Sequence, residues 1–307
     1  MPRRVILLAA VALAGCGGGG AVQTPHAQVS PAPRGSPLDA LPPKSGAADA
    51  ALLRQELREA RLRAQIAAAR RSPTVPSALR VARLTGRISP ALETSLRNDW
   101  ARANGALGGL TGVRRSELGY VVGTVQTLAA THTLTADRLR PTFLVLRANT
   151  RFWTRSPMPT SGWRTSFGTD PAIFQYYPGH GLQLQPLASW GRANAIAGAC
   201  LAALRSRTRK DRCRSAALAR SLDRLSALGA RRNGFLAWEY YFAYGSGSPP
   251  WVSGMTQATA IQALSRGYRA LGKTRWRRNA LRALGAFEQP PPSGVSVSAP
   301  GGRHYLL

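Results

Sequence analysis

Lysine is nearly missing from this chain: of its 42 basic residues only Lys44, Lys210 and Lys273 are lysines, and all the others are arginine. Acids are scarce as well, 13 in 307 residues, which leaves a formal net charge of +29. An arginine fork matches carboxylates, sulfates and phosphates at two points, so a polyanionic partner is physically reasonable. A plain compositional bias toward Ala, Gly, Pro and Arg gives the same balance without functional meaning. Cysteine is limited to Cys16, Cys200 and Cys213. No histidine lies near the last two, so no metal site is expected, and no cofactor either. No apolar run reaches the roughly 20 residues of a membrane-spanning helix. Period-two alternation is missing before residue 290, which argues against a β architecture.

The N-terminus carries an address. Arg3 and Arg4 precede an apolar run over residues 5–13 that is too short to stay in a bilayer and has the form of a secretory signal. It closes on Leu13-Ala14-Gly15-Cys16, which resembles a bacterial lipobox, so residues 1–16 are expected to be a lipoprotein signal peptide with Cys16 lipidated. A simple secretory signal is the other reading. Either way the mature protein is expected outside the cytoplasm, lipid-anchored to the cell membrane or secreted. Residues 17–46, rich in Gly, Pro, Ala and Ser, are expected to be a flexible linker. Residues 47–72 follow as one helix, either a stalk or packed on the domain, with Leu53, Leu57, Ala60, Ala64 and Ala67 stepping by four and three.

From residue 77 to 307 the pattern is a succession of helices. Ser89-Pro90 is a cap with proline at the first helical position, ahead of Leu92, Leu96 and Trp100. Leu118, Val121, Val125 and Leu128 form one further apolar face, and Leu139, Phe143, Leu146 and Trp153 another. Residues 156–189 read as Pro/Gly loops. Cys200 lies on one periodic run and Cys213 opens the next, with a charged turn between them. In an oxidising compartment this predicts a disulfide stapling a helical hairpin. Only the tail alternates: Val295 and Val297, then the turn Pro300-Gly301-Gly302, predict a terminal β-hairpin.

One stretch looks made for binding. Trp238-Glu239-Tyr240-Tyr241 runs through Pro249-Pro250-Trp251 into a helix with Ile261, Leu264, Tyr268 and Leu271 on one face. Rings beside a helix N-terminus can stack on sugar faces while free backbone N–H groups receive an anion, which suits an acidic sugar. A core aromatic cluster under an ordinary loop is the bland reading. Glu239 is an acid/base candidate, with pairing to a nearby arginine as its alternative fate.

Residues 249–272 also carry a family pattern. Trp251, Ser253, Met255, Gln257, Ile261, Leu264, Arg266 and Tyr268 occupy the positions of the D-glucuronyl C5-epimerase C-terminal domain, which this segment resembles. The block Phe174-Gln175-Tyr176-Tyr177-Pro178-Gly179-His180-Gly181-Leu182-Gln183 is similar to a segment of bacterial relatives, so the likeness extends over roughly residues 165–307. The resemblance implies an all-α fold, an (α/α) toroid-like array of helical hairpins. It implies inversion at C5 of glucuronate units in a polysaccharide. That reaction needs an acid/base group on each side of the ring and cationic groups around the sugar carboxylate. It places the family's catalytic Glu-Tyr pair on the strand after the terminal turn, where Tyr305 matches but Leu307 stands at the glutamate. The second half of the domain is therefore expected to be missing, and no catalytic residue carries over.

The site candidates are then Tyr176, Tyr177, His180, Gln183, Trp238, Trp251 and Gln257 for substrate, with Glu239 and Tyr240 as the first suspects for catalysis. His180, between two glycines, is as easily structural. The expected partners are acidic polysaccharide and, through the lipid anchor, a membrane. Nucleic acid is not expected, since the chain is read as exported and shows no nucleic-acid-binding motif. A non-catalytic glycan-binding lipoprotein is the alternative to an epimerase, and a metal-dependent lyase or hydrolase on a toroid stays open. The oligomeric state is not legible.

Overall fold

The computed structural model describes residues 46–206, 212–245 and 247–306. The signal peptide, Cys16, almost all of the linker and Leu307 lie outside the described residues. Nine α-helices are present among them: α1 (Gly46–Arg71), α2 (Val75–Leu84), α3 (Pro90–Gly109), α4 (Gly112–Ala130), α5 (Ala136–Arg155), α6 (Pro186–Arg205), α7 (Ser215–Ser226), α8 (Gly254–Leu271) and α9 (Thr274–Ala283). None is long and apolar enough to cross a membrane. From residue 49 onward the side chains of α1 are almost all exposed, Leu53 and Leu57 included. Its hydrophobic positions are too small and too spread out to make a packing face.

Residues 55–307 form one compact unit. Helices start where the sequence caps them: Thr74 accepts from Ser77 N, Ser89 from Leu92 N and Ser253 from Thr256 N, with proline in the first turn of α2 and α3. Gly272 ends α8 at φ 70°, a left-handed position. Neighbouring helices pack on one another from α2 to α5 and again from α6 to α9, with α3 also on α5 and α6 along α8. The last contact is made close by small residues, Ala193 and Ala197 on α6 and Ala260 and Ala263 on α8, all buried. At Gly267 a Cβ would collide with Leu222 of α7 and come against Trp276 of α9. Trp153, Trp190, Trp276 and Phe143 fill the core.

Cys200, buried in α6, is joined to Cys213 ahead of α7. The link closes the α6–α7 corner covalently.

The all-α expectation is corrected by five short strands before the tail. β1 (Arg164–Thr165), β2 (Phe174–Tyr177) and β3 (Gly181–Leu184) form an antiparallel sheet in the order β1-β2-β3, and β4 (Ala230–Arg232) pairs with β5 (Phe235–Ala237). Strands of two to four residues hold too few side chains to show a period, and all four of β3 are buried, which removes alternation altogether. The tail is a hairpin of β6 (Ser296–Ala299) and β7 (Gly302–Tyr305), with Ser296 opposite Tyr305. Leu306 then donates its N–H to Val295 O and accepts from Gly254 N, seating the hairpin on the start of α8.

Candidate functional site: an aromatic shelf on two clamped loops

β5 delivers residues 238–242 into the interior, all of them buried. The carboxylate of Glu239 is the knot that holds this segment. Arg138, in the first turns of α5, grips it with Nε and Nη2, both at 2.7 Å, and Arg232 of β4 adds a third bond at 2.7 Å. Tyr241 donates its hydroxyl at 3.0 Å. Burial pushes this carboxyl up, but the bonds and charge of Arg138, then of Arg232, outweigh it and hold the group below its ordinary value. Arg232 also donates to Pro250 O at 3.1 Å and to Pro292 O. One guanidinium thus ties the buried acid to both proline loops.

Tyr240, next in the chain, points the other way. Its backbone exchanges two hydrogen bonds with Trp251, and the rings lie 4.1 Å apart with planes only 8° from parallel. Tyr244 stands on the outer side of Trp251 at 6.4 Å and 18°. The three rings form a stack running from buried Tyr240 through half-buried Trp251 to Tyr244, which is 61% exposed. Trp251 donates its ring N–H to Phe242 O at 2.7 Å, so this ring cannot turn over without breaking a bond.

The β2–β3 turn meets this stack. Tyr177 packs at 4.6 Å from Phe242 and edge-on to Tyr244 at 5.9 Å, and half-buried His180 sits edge-on to Tyr120 of α4 at 4.6 Å. Buried Glu117 of α4 fixes the turn by accepting from Tyr176 Oη and Gly179 N, each at 2.8 Å, and from Gly181 N at 2.6 Å. Gly181 has φ 76°, and a Cβ on it would lie 2.6 Å from Asn149 Oδ1. Only glycine satisfies both conditions.

A polar line joins the loops underneath. Gln185 donates to Tyr177 Oη at 2.7 Å and accepts from Tyr240 Oη at 2.9 Å; Thr256 Oγ1 lies 2.8 Å from Tyr240 Oη. Tyr240 has one proton and gives it to Gln185, so Thr256 is the donor in the last bond. Burial raises the Tyr240 phenol to about 12 despite that bond from Thr256, and the phenol is neutral at physiological pH.

The structure brings Tyr177, His180, Tyr240 and Trp251 together. It does not bring their companions to the surface: Tyr176, Gln183, Trp238, Glu239 and Gln257 are all buried. Trp238 donates to Leu225 O and packs against Trp190, and Gln183 donates to His180 O. Gln257 is fully buried with neither amide atom bonded to protein. The expected anion seat at the start of α8 is corrected, since Gly254 N is taken by Leu306 O and Thr256 N by Ser253 Oγ. A docked hairpin strand and a capping serine thus occupy two of the first-turn donors that an anion would need. Phe242 and Tyr244 were legible as a continuation of the aromatic run past Tyr241. Tyr120, Glu117 and Gln185 had no signal, being single residues far away in the chain.

Fold and shelf together define a mostly helical protein with short antiparallel strand pairs and a stack of three aromatic rings that reaches the surface. Residues 232–303 match the family model described as D-glucuronyl C5-epimerase C-terminus. The expected resemblance is borne out over that span, which contains Glu239, the ring stack and α8; the 174–183 block lies outside it. No curated protein and no solved structure matches the chain.

Proposed function

We propose that this is a D-glucuronyl C5-epimerase-like protein whose aromatic shelf binds uronate-containing polysaccharide, on a helical array of the (α/α) toroid kind. The observation that carries the reading is the Tyr240–Trp251–Tyr244 stack, open on its outer face and flanked by Tyr177, His180 and exposed Arg164. A sugar ring laid on the exposed face of Tyr244 presents its C–H face to the π surface, and exposed Arg164, whose charge acts on the Tyr177 phenol, is a cation able to meet a carboxylate.

Inversion at C5 needs a base near neutrality on one face of the sugar and an acid on the other. Both oxygens of Glu239 are filled by arginine, and Tyr240 keeps its proton, so these two residues support binding rather than proton abstraction. The non-catalytic glycan-binding lipoprotein is accordingly the second reading, favoured by these two placements. The bonded cysteine pair supports an exported protein, anchored through Cys16 in the reading of residues 1–16. Membrane retention unchanged by Cys16→Ser would remove the anchor.

The shelf is tested by titrating a glucuronate disaccharide against tryptophan fluorescence. Binding should weaken in Tyr244→Ala and persist in Tyr240→Phe. Solvent deuterium entering C5 in the wild type but not in Tyr240→Phe would show that Tyr240 is catalytic and overturn the binding role assigned to it.

A further inference from the structure

The shelf leaves most of the positive charge unexplained. Thirteen acids cannot neutralise an arginine-rich chain with a net charge of +29, so many guanidiniums must find their counterions outside the protein. The structure collects a set of them. Three adjoining hollows of about 790, 590 and 510 Å³ share walls: the first two meet at Arg87, Ala136, Asp137 and Arg231, and the last two at Arg147. Together they make one trough along α5, bordered by α2, α3 and the approach to β4. Ten arginines line it against two carboxylates, Asp99 and Asp137.

Those two acids are already engaged. Asp99, buried, holds Arg147 at 2.8 Å and also Arg102, and Asp137 holds Arg87 at 3.0 Å. By contrast Arg70, Arg71, Arg140, Arg151, Arg155 and Arg231 are exposed and have no side-chain partner among the described residues. Arg140, Arg147, Arg151 and Arg155 recur at seven and four residues, so they line one face of α5. From Asp137 to Arg155 that face runs about 27 Å at the helical rise of 1.5 Å per residue. A single small anion would leave most of it uncovered.

We propose that this trough binds an extended acidic polysaccharide chain through its carboxylates, as an anchoring site separate from the shelf. The assignment of glycan rests on the reading of the shelf. The trough contains no Phe, Tyr or Trp, so it offers no platform for bases, which single-stranded nucleic acid requires for much of its affinity. Free guanidiniums with the hydroxyls of Thr150 and Thr154 beside them suit a flexible row of carboxylates. The trough and the shelf share no lining residue.

The full chain carrying Arg140→Gln, Arg151→Gln and Arg155→Gln tests this, since none of the three supports the fold through an ion pair. A glucuronate dodecasaccharide should bind the variant at least about tenfold more weakly than wild type at low salt, with a shallower salt dependence, while the melting temperature and disaccharide binding stay unchanged. Equal dodecasaccharide affinity in variant and wild type would overturn the trough. A single-stranded DNA of matched charge binding as tightly as the glycan, with the same loss in the variant, would overturn the glycan assignment. If wild type ignored the disaccharide but held the dodecasaccharide in an arginine-dependent way, the shelf would fall and the trough would stand.

Discussion

The shelf and the trough solve opposite problems with different materials. On the shelf, Tyr240 and Trp251 are held by hydrogen bonds to buried groups, and Arg164 is an exposed cation whose charge reaches Tyr177. In the trough ten arginines share a long concave surface with no Phe, Tyr or Trp, and only those held by Asp99, Asp137 and, for Arg224, Asp170 are fixed by a carboxylate. Shape recognition of a sugar face requires rigid neighbours, because a ring free to rotate loses its contact. Charge recognition along a chain tolerates mobile side chains, because Coulomb attraction has no direction and falls slowly with distance. The two surfaces therefore call for different experiments: the shelf is broken through its buried supports, the trough only by removing charge.

The largest effect is expected beneath the shelf. Glu239→Gln leaves Arg138 and Arg232 without their counter-charge in the interior and should cost about 3–5 kcal/mol, read from urea unfolding. The same carboxylate sets an acid limit. Its folded-state pKa lies below the ordinary value, so its contribution is complete above that ordinary value and is lost as pH falls through the lowered one. Acid unfolding of the wild type should show this limb, and Glu239→Gln should lack it; an identical acid profile would show that another group sets the limit.

Reduction of Cys200–Cys213 comes next. A bridge across a separation of 13 residues should contribute about 3 kcal/mol by restricting the unfolded chain, so dithiothreitol should lower the urea midpoint by that equivalent. Neither cysteine lines the shelf or the trough, so dodecasaccharide affinity of the folded, reduced protein should hold. Gly181→Ala should destabilise by about 2 kcal/mol, from strain at positive φ and the clash with Asn149. Disaccharide binding should fall with it while trough binding persists, because only the shelf depends on the Glu117 clamp. The smallest change in stability belongs to Tyr244→Ala, under about 0.5 kcal/mol for so exposed a ring. Its disaccharide affinity should nonetheless drop by about 1 kcal/mol. A variant that bound normally would show that Trp251 alone makes the surface.

Much of the fold was legible because helices are local. Ser89 caps where its position says, and Leu118, Val121, Val125 and Leu128 all lie in the core, because a period of three and four is set by backbone geometry within one segment. β2 and β3 were missed because their pairing depends on Glu117 and Asn149, brought from two other helices. The site candidates divide on the same ground. Sequence marked Trp238 and Trp251 as equals, one before and one after the Pro249-Pro250 turn. Only packing put Trp238 against Trp190 and left Trp251 beneath Tyr244.

By itself the sequence determined the charge, its arginine form, the helical periodicity, the cysteine pair's place at a helix corner and the aromatic content of residues 238–251. These are properties of composition and of neighbours along the chain. Tertiary structure alone decided that Glu239 is spent on Arg138, which is 101 residues away, and that the start of α8 is closed by Leu306. It alone gathered arginines from residue 70 to residue 231 into one trough. The reason is that a buried ion pair, a filled helix end and a shared surface each depend on distances between residues remote in sequence, and such distances come into being only when the chain packs.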